Sequence, residues 1–121
     1  MELKIKDDYN LAAYNHIQEK MKRFYKAHEF IDLLSKHLEK YDYKKRKDIE
    51  YHINILMNDK HFYEEIYNKF LGCIKKAERY NNPNSRYISF YDRHYIKECY
   101  ESNLYFIKFD NDIEKLNKLL E

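Results

Sequence analysis

The sequence predicts an all-α protein, an antiparallel bundle of three long helices at about 8–41, 44–80 and 85–120. Three observations carry that expectation. The first is compositional: the 121 residues include one Gly, one Pro and no Trp, and neither Val nor Thr occurs. Strands draw on β-branched and aromatic residues, and tight turns draw on Gly and Pro. A β-rich fold is therefore excluded, as are collagen-like repeats and Gly-rich phosphate loops. The second is a 3–4 spacing of apolar residues, the mark of a helix that buries one stripe. The third is that the few breakers fall where such segments would have to turn.

The first segment opens at Asp7 or Asp8, either of which can accept the free amides of a helix start. Its apolar stripe reads Tyr14, Ile17, Met21, Phe24, His28, Ile31, Ser35, Leu38. A weak break at Tyr41-Asp42-Tyr43 ends it. The second stripe reads Ile49, Ile53, Leu56, then Lys60, then Tyr63, Tyr67, Phe70, Ile74, Ala77. Lys60 interrupts it beside Asn58-Asp59, which supports an alternative of four helices with a break near 58–60. Asn81-Asn82-Pro83-Asn84-Ser85 is the clearest boundary, with Ser85 as N-cap of the next helix. The third stripe reads Ile88, Tyr91, Tyr95, Cys99, Ser102, Phe106, Phe109, Ile113, Leu116, Leu120. Segments of similar length with short connections favour an up-down-up bundle, one domain over 1–121.

Charge says little about partners, because 23 basic and 21 acidic residues leave a net charge of +2. The longest apolar stretch, Phe70 to Ile74, is far short of the ~20 residues of a membrane helix. The first residues lack the apolar run of a signal peptide. Cys73 and Cys99 stand alone without a metal or redox spacing, so they read as buried thiols in a reducing cytoplasm. Residues with AT-rich codons (Lys, Asn, Ile, Tyr, Phe) make up about half the chain, which implies an AT-rich genome such as that of a phage or mobile element. Part of the excess of 14 Tyr follows from that bias.

Three patterns are candidates for chemistry. Lys44, Lys45, Arg46 and Lys47 follow Lys40 and are interleaved with Tyr41 and Tyr43, a mixture that can hold a phosphate backbone and stack bases. The structural reading puts these cations at the end of helix 1, where they suit its dipole. Within the same stretch, Arg46 and His52 resemble the Arg-x4–6-His element of HEPN-type ribonucleases, small all-α domains whose Arg and His share a helix face at a dimer cleft. That resemblance implies action on RNA phosphates; Lys47 stands where the family has a small polar residue. Arg23 and His28 repeat the spacing. Three His-x-x-x-carboxylate pairs, His28/Asp32, His61/Glu65 and His94/Glu98, each share one helix face. Folding the helices on one another brings His28 and Asp32 level with His52 and with Asp110 or Asp112, so that one imaginable metal cluster is His28, Asp32, His52 and Asp110. Bundle metal sites need His-x-x-x-His or Glu-x-x-His pairs, and neither occurs. No metal or cofactor is expected, and His28 reads as a hydrogen-bonded core residue. Ser35, Ser85, Ser89 and Ser102 lack the setting of a nucleophile, so a non-enzymatic role is favoured.

The most apolar stretch is 87–109. One stripe (Tyr91, Tyr95, Cys99, Phe106, Phe109) fits the bundle seam. A second (Ile96, Tyr100, Leu104, Ile107) lies about 100° around the helix. A second apolar face means burial between both neighbours or contact with another molecule. The leading expectation is a cytoplasmic protein-interaction module, regulatory, inhibitory or accessory. It would bind a protein partner or a second copy of itself through Tyr87, Phe90, Ile96, Tyr100, Leu104 and Ile107, without a membrane. The alternative is an RNA- or DNA-binding protein using the 40–47 patch, with a HEPN-like ribonuclease as its catalytic variant.

Overall fold

The structure, a computed structural model, describes residues 4–79, 90–102 and 104–121, without the side chains of Leu104 and Tyr105. It is an all-α antiparallel bundle. Helix α1 spans Asp8–Ser35 and is followed by a 3-10 turn at Leu38–Lys40. Helix α2 spans Tyr43–Arg79, α3 Phe90–Glu101 and α4 Leu104–Leu120. The third segment is thus two helices in succession, and no strand occurs among the described residues.

Chain direction follows from the contacts. Asn10 donates to Glu78 at 3.2 Å, and the Phe24 and Tyr63 rings lie 5.5 Å apart, so α1 and α2 are antiparallel. Lys108 meets Asp59 at 2.8 Å and Phe106 stacks on Tyr63 at 5.6 Å, while Lys69 lies over Tyr95 at 4.7 Å. The third segment therefore also runs against α2. Tyr9 meets Tyr100 at 5.5 Å and Phe24 meets Phe109 at 4.8 Å, which makes the third segment parallel to α1.

The boundaries have local causes. Asp7 caps α1, its carboxylate accepting the Asn10 amide at 2.9 Å. Residues 36–41 do not continue α1 as the spacing predicts. The chain tightens after Ser35, whose hydroxyl donates to the Asp32 carbonyl at 2.7 Å, and the 3-10 turn tucks Leu38 and Tyr41 against the core. Asp42 then caps α2, accepting the Lys45 amide at 2.8 Å, while its carbonyl accepts Arg46 N–H.

The alternative break near 58–60 is absent, because α2 passes through it. An Asp inside a helix weakens it when the side chain turns back to its own backbone, but Asp59 is held by Lys108 across the bundle. The break lies instead at Ser102, whose amide and hydroxyl both donate to the Glu98 carbonyl and close the last turn of α3. Asn81 to Ser85, and with them the expected Ser85 cap, lie outside the described residues.

The core runs the length of the bundle. Phe24 and Ile31 from α1, Ile49, Leu56, Tyr63, Phe70 and Ile74 from α2, and Ile96 and Leu116 from the third segment are fully buried. Each such side chain contributes roughly 1.5–3 kcal/mol by leaving water. Cys73 and Cys99 are free and buried, as their isolation in the sequence suggests.

Candidate interaction surfaces

On α3 the inward stripe is Asp92, Ile96 and Cys99, one residue on from the Tyr91 and Tyr95 that the spacing assigned to the seam. The reason is chemical. The Cys73 thiol hydrogen-bonds to the Asp92 carboxylate, giving a buried acid a partner. Tyr91 is exposed, while Tyr95 stays half-buried against the core as expected. Their rings stack at 6.4 Å on the α2 side, with the Lys69 ammonium 5.2 and 4.7 Å from their centres. The Tyr95 hydroxyl hydrogen-bonds to the buried Cys99 thiol. Burial pushes the Cys73 thiol up to about 11 and the Cys99 thiol up to about 12, so both stay protonated at neutral pH.

The six residues expected to form a protein interface do not stay together. Ile96 is 1% exposed and belongs to the core, which corrects its assignment to a contact surface. Tyr100 is half-buried inside the chain, its ring 5.5 Å from Tyr9 and 5.3 Å from His16. Phe90 is 77% exposed, and Ile107 points outward from α4. Tyr87 and the Leu104 side chain lie outside the described residues. Two neighbours join the exposed apolar residues: Tyr91, which the spacing assigns to the seam, and Phe62, which lies outside the stripes read from the sequence. Tyr91 is exposed, and Phe62 is exposed on the side of α2 that carries Ile66 and Lys69. The signal for the second was available: 62, 66 and 69 are spaced by four and three, a stripe beside the main one.

At the other end of the bundle, Lys44, Lys45, Arg46 and Lys47 do not close α1. They occupy the start of α2, whose first turn holds no acidic residue. Cations there face the positive end of the helix dipole, which inverts the structural reading drawn from sequence. Their company is aromatic: Lys40 and Lys45 lie 5.2 and 5.7 Å from the Tyr41 ring centre, and Arg46 and Lys47 lie 5.8 and 5.5 Å from that of Tyr43. Tyr43 and Tyr51 are 68% and 64% exposed, two turns apart with Lys47 between them on one face of α2. Lys47 also reaches Glu50 at 3.7 Å, a loose exposed pair.

Arg46 and His52 are not brought together within the chain. Six residues of helix set them about 120° apart. Arg46 stacks on Tyr43, and His52 packs edge-on against Tyr51 at 5.5 Å. The cluster of His28, Asp32, His52 and Asp110 is not assembled either; among the described residues no three potential ligands converge on a metal position. His61–Glu65 and His94–Glu98 are solvent-facing contacts one helical turn apart, at 2.9 and 3.5 Å. His28 departs from expectation in a different way: it is 2% exposed, yet neither ring nitrogen has a hydrogen-bond partner.

A cavity of about 620 Å³ opens at the start of α1, where Arg93 and Lys97 face Asp7 and Glu101. Its opposed charges balance, and among its described lining residues there is no Ser or Cys. No described helix is long and apolar enough to cross a membrane. Comparison of the chain with family models, with curated proteins and with solved structures finds no match.

Proposed function

We propose that this protein is a small cytoplasmic helical module that acts by binding a protein partner or a second copy of itself. The contact would be the outward aromatic side of the third segment and the adjoining edge of α2. The observation that supports this is the exposure of Phe90, Tyr91, Phe62 and Ile107 in a chain whose core is already filled by other residues. Aromatic side chains such as Tyr91 and Phe90 are enriched at protein contacts, and tyrosine also at their hot spots. The role would be regulatory, inhibitory or accessory. In sedimentation, Tyr91→Ala with Ile107→Asp should abolish self-association or stoichiometric capture of a partner while helix content stays unchanged. Equal association by the wild type and this double variant sinks the reading.

A second reading rests on the start of α2. Four cations on a positive helix end, with Tyr43 and Tyr51 exposed on either side of Lys47, suit single-stranded RNA or DNA. Binding of a labelled oligonucleotide should fall steeply with salt and should be lost when Lys44, Lys45, Arg46 and Lys47 become Gln. Salt-independent binding, or survival of that change, removes it. The ribonuclease variant needs more: cleavage that stops when His52 becomes Ala.

A further inference from the structure

His28 lies where three helices meet. Its ring is 4.5 Å from Phe24 on its own helix and 5.7 Å from Phe109, on which it stacks from α4. From α2 come Lys60 and Glu64, and Asp32 lies one turn further along α1; all three act on it through charge, none by a hydrogen bond. Of the charged groups of α4 nearest the junction, Lys108 and Asp112 are engaged elsewhere. Lys108 and Asp112 pair with each other, with Lys108 also on Asp59, and Asp110 lines the α1–α4 groove opposite Arg23.

A histidine so placed has no structural work that Leu or Phe could not do, and its two nitrogens weaken the packing. Buried polar atoms in folded proteins nearly always have a partner, and one that has none calls for an explanation. The aromatic walls tolerate a neutral imidazole but offer no acceptor to a second N–H.

We propose that His28 is an acid-sensitive latch: protonation of its ring parts α1 from α2 and α4 at this junction and exposes the Phe24–Phe109 contact. Burial holds His28 below its ordinary value of 6.5 and Lys60 adds to that, while Asp32 and Glu64 oppose it. The sign follows. The neutral form is the one that fits the closed junction, so the closed state is fully favoured above pH 6.5 and loses ground as pH falls toward the depressed folded value. Over that interval one proton binds on opening, and the closed-to-open ratio drops by up to tenfold per pH unit.

The test is hydrogen exchange of the backbone amides of residues 21–34 in the full chain between pH 8 and 5, corrected for intrinsic exchange rates. The opening constant should be flat above pH 7 and rise toward tenfold per unit below 6.5. In His28→Leu it should be smaller throughout and lack that rise. A wild type with no rise overturns the proposal, and so does a rise of equal size in His28→Leu, which would assign it to the other histidines or the carboxylates. NMR titration of the wild-type His28 ring, which needs no variant, decides independently. A ring that stays neutral until α1 opens supports the latch. One that titrates near 6.5 while the fold remains closed overturns it.

Discussion

Tyr63 and His28 are buried at the same junction of α1, α2 and α4, both against Phe24 and Phe109, and they are treated in opposite ways. Tyr63 brings its hydroxyl to a place where the Phe109 amide donates to it at 3.0 Å, close to Lys108, Asp59 and Asp112. His28 brings two nitrogens to a place where nothing meets them. Burial alone therefore does not decide what a polar side chain contributes here. A single hydrogen bond makes Tyr63 a fastening point, and its absence makes His28 a weak one.

The largest test of this contrast is removal of the Tyr63 ring. Tyr63→Ala should destabilise by about 3–5 kcal/mol, the range for deleting a buried aromatic, and chemical denaturation will measure it. Tyr63→Phe isolates the hydroxyl. It keeps the ring but leaves the buried Phe109 amide without that acceptor, at about 1–2 kcal/mol. A Tyr63→Phe variant as stable as wild type would mean that the hydroxyl fastens nothing.

The opposite sign is expected at His28. His28→Leu removes two unpartnered nitrogens and keeps an apolar side chain, so it should stabilise by about 1 kcal/mol at pH 8. The gain should grow on acidification through pH 6.5, because the native histidine binds its proton less readily than the unfolded one. A loss of stability at pH 8 would show that the ring's contacts with Phe24 and Phe109 outweigh its unmet polar atoms.

The 3–4 spacing placed both residues on the seam, and it gave the helical architecture because Gly and Pro are too scarce to offer another. What it could not give was which seam positions find partners, since those come from other helices. Asn58-Asp59 looked like a break and is not one, because Lys108 arrives from 49 residues away to hold Asp59. Ser102 looked like a seam residue and marks a break, because its hydroxyl turns back to the Glu98 carbonyl. In the interaction stretch, Tyr91 and Ile96 belong to adjacent apolar stripes, and tyrosine is amphipathic enough for either. The choice fell to the buried partner of Asp92, the Cys73 thiol, which no local pattern reveals. The basic run was legible as a run; its place on α2 depended on where the 3-10 turn ended α1.

Lys108 tests the polar surroundings of Tyr63 more gently. It is well exposed and bridges Asp59 and Asp112, whose side chains are mostly covered. Lys108→Met leaves two carboxylates facing each other beside the Tyr63 hydroxyl, but solvent around the lysine limits the loss to less than about 1 kcal/mol. The loss should shrink further in high salt. An unchanged unfolding midpoint at low salt would place the fastening in the Tyr63–Phe109 bond alone.

The smallest effect separates stability from function at the start of α2. Lys44 stands in the first turn on the positive end of the helix dipole, beside Lys45, Arg46 and Lys47. Lys44→Glu should therefore stabilise the fold, by about 0.3–1 kcal/mol at low ionic strength, with the gain fading as salt is added. If the cations serve a polyanion, the same change should weaken oligonucleotide binding as it strengthens the fold. A cluster that costs folding stability yet gains nothing in binding would leave codon bias as its origin. A Lys44→Glu variant that loses stability would show that the nearby end of α1, where the last turn holds no basic residue, is what these cations neutralise.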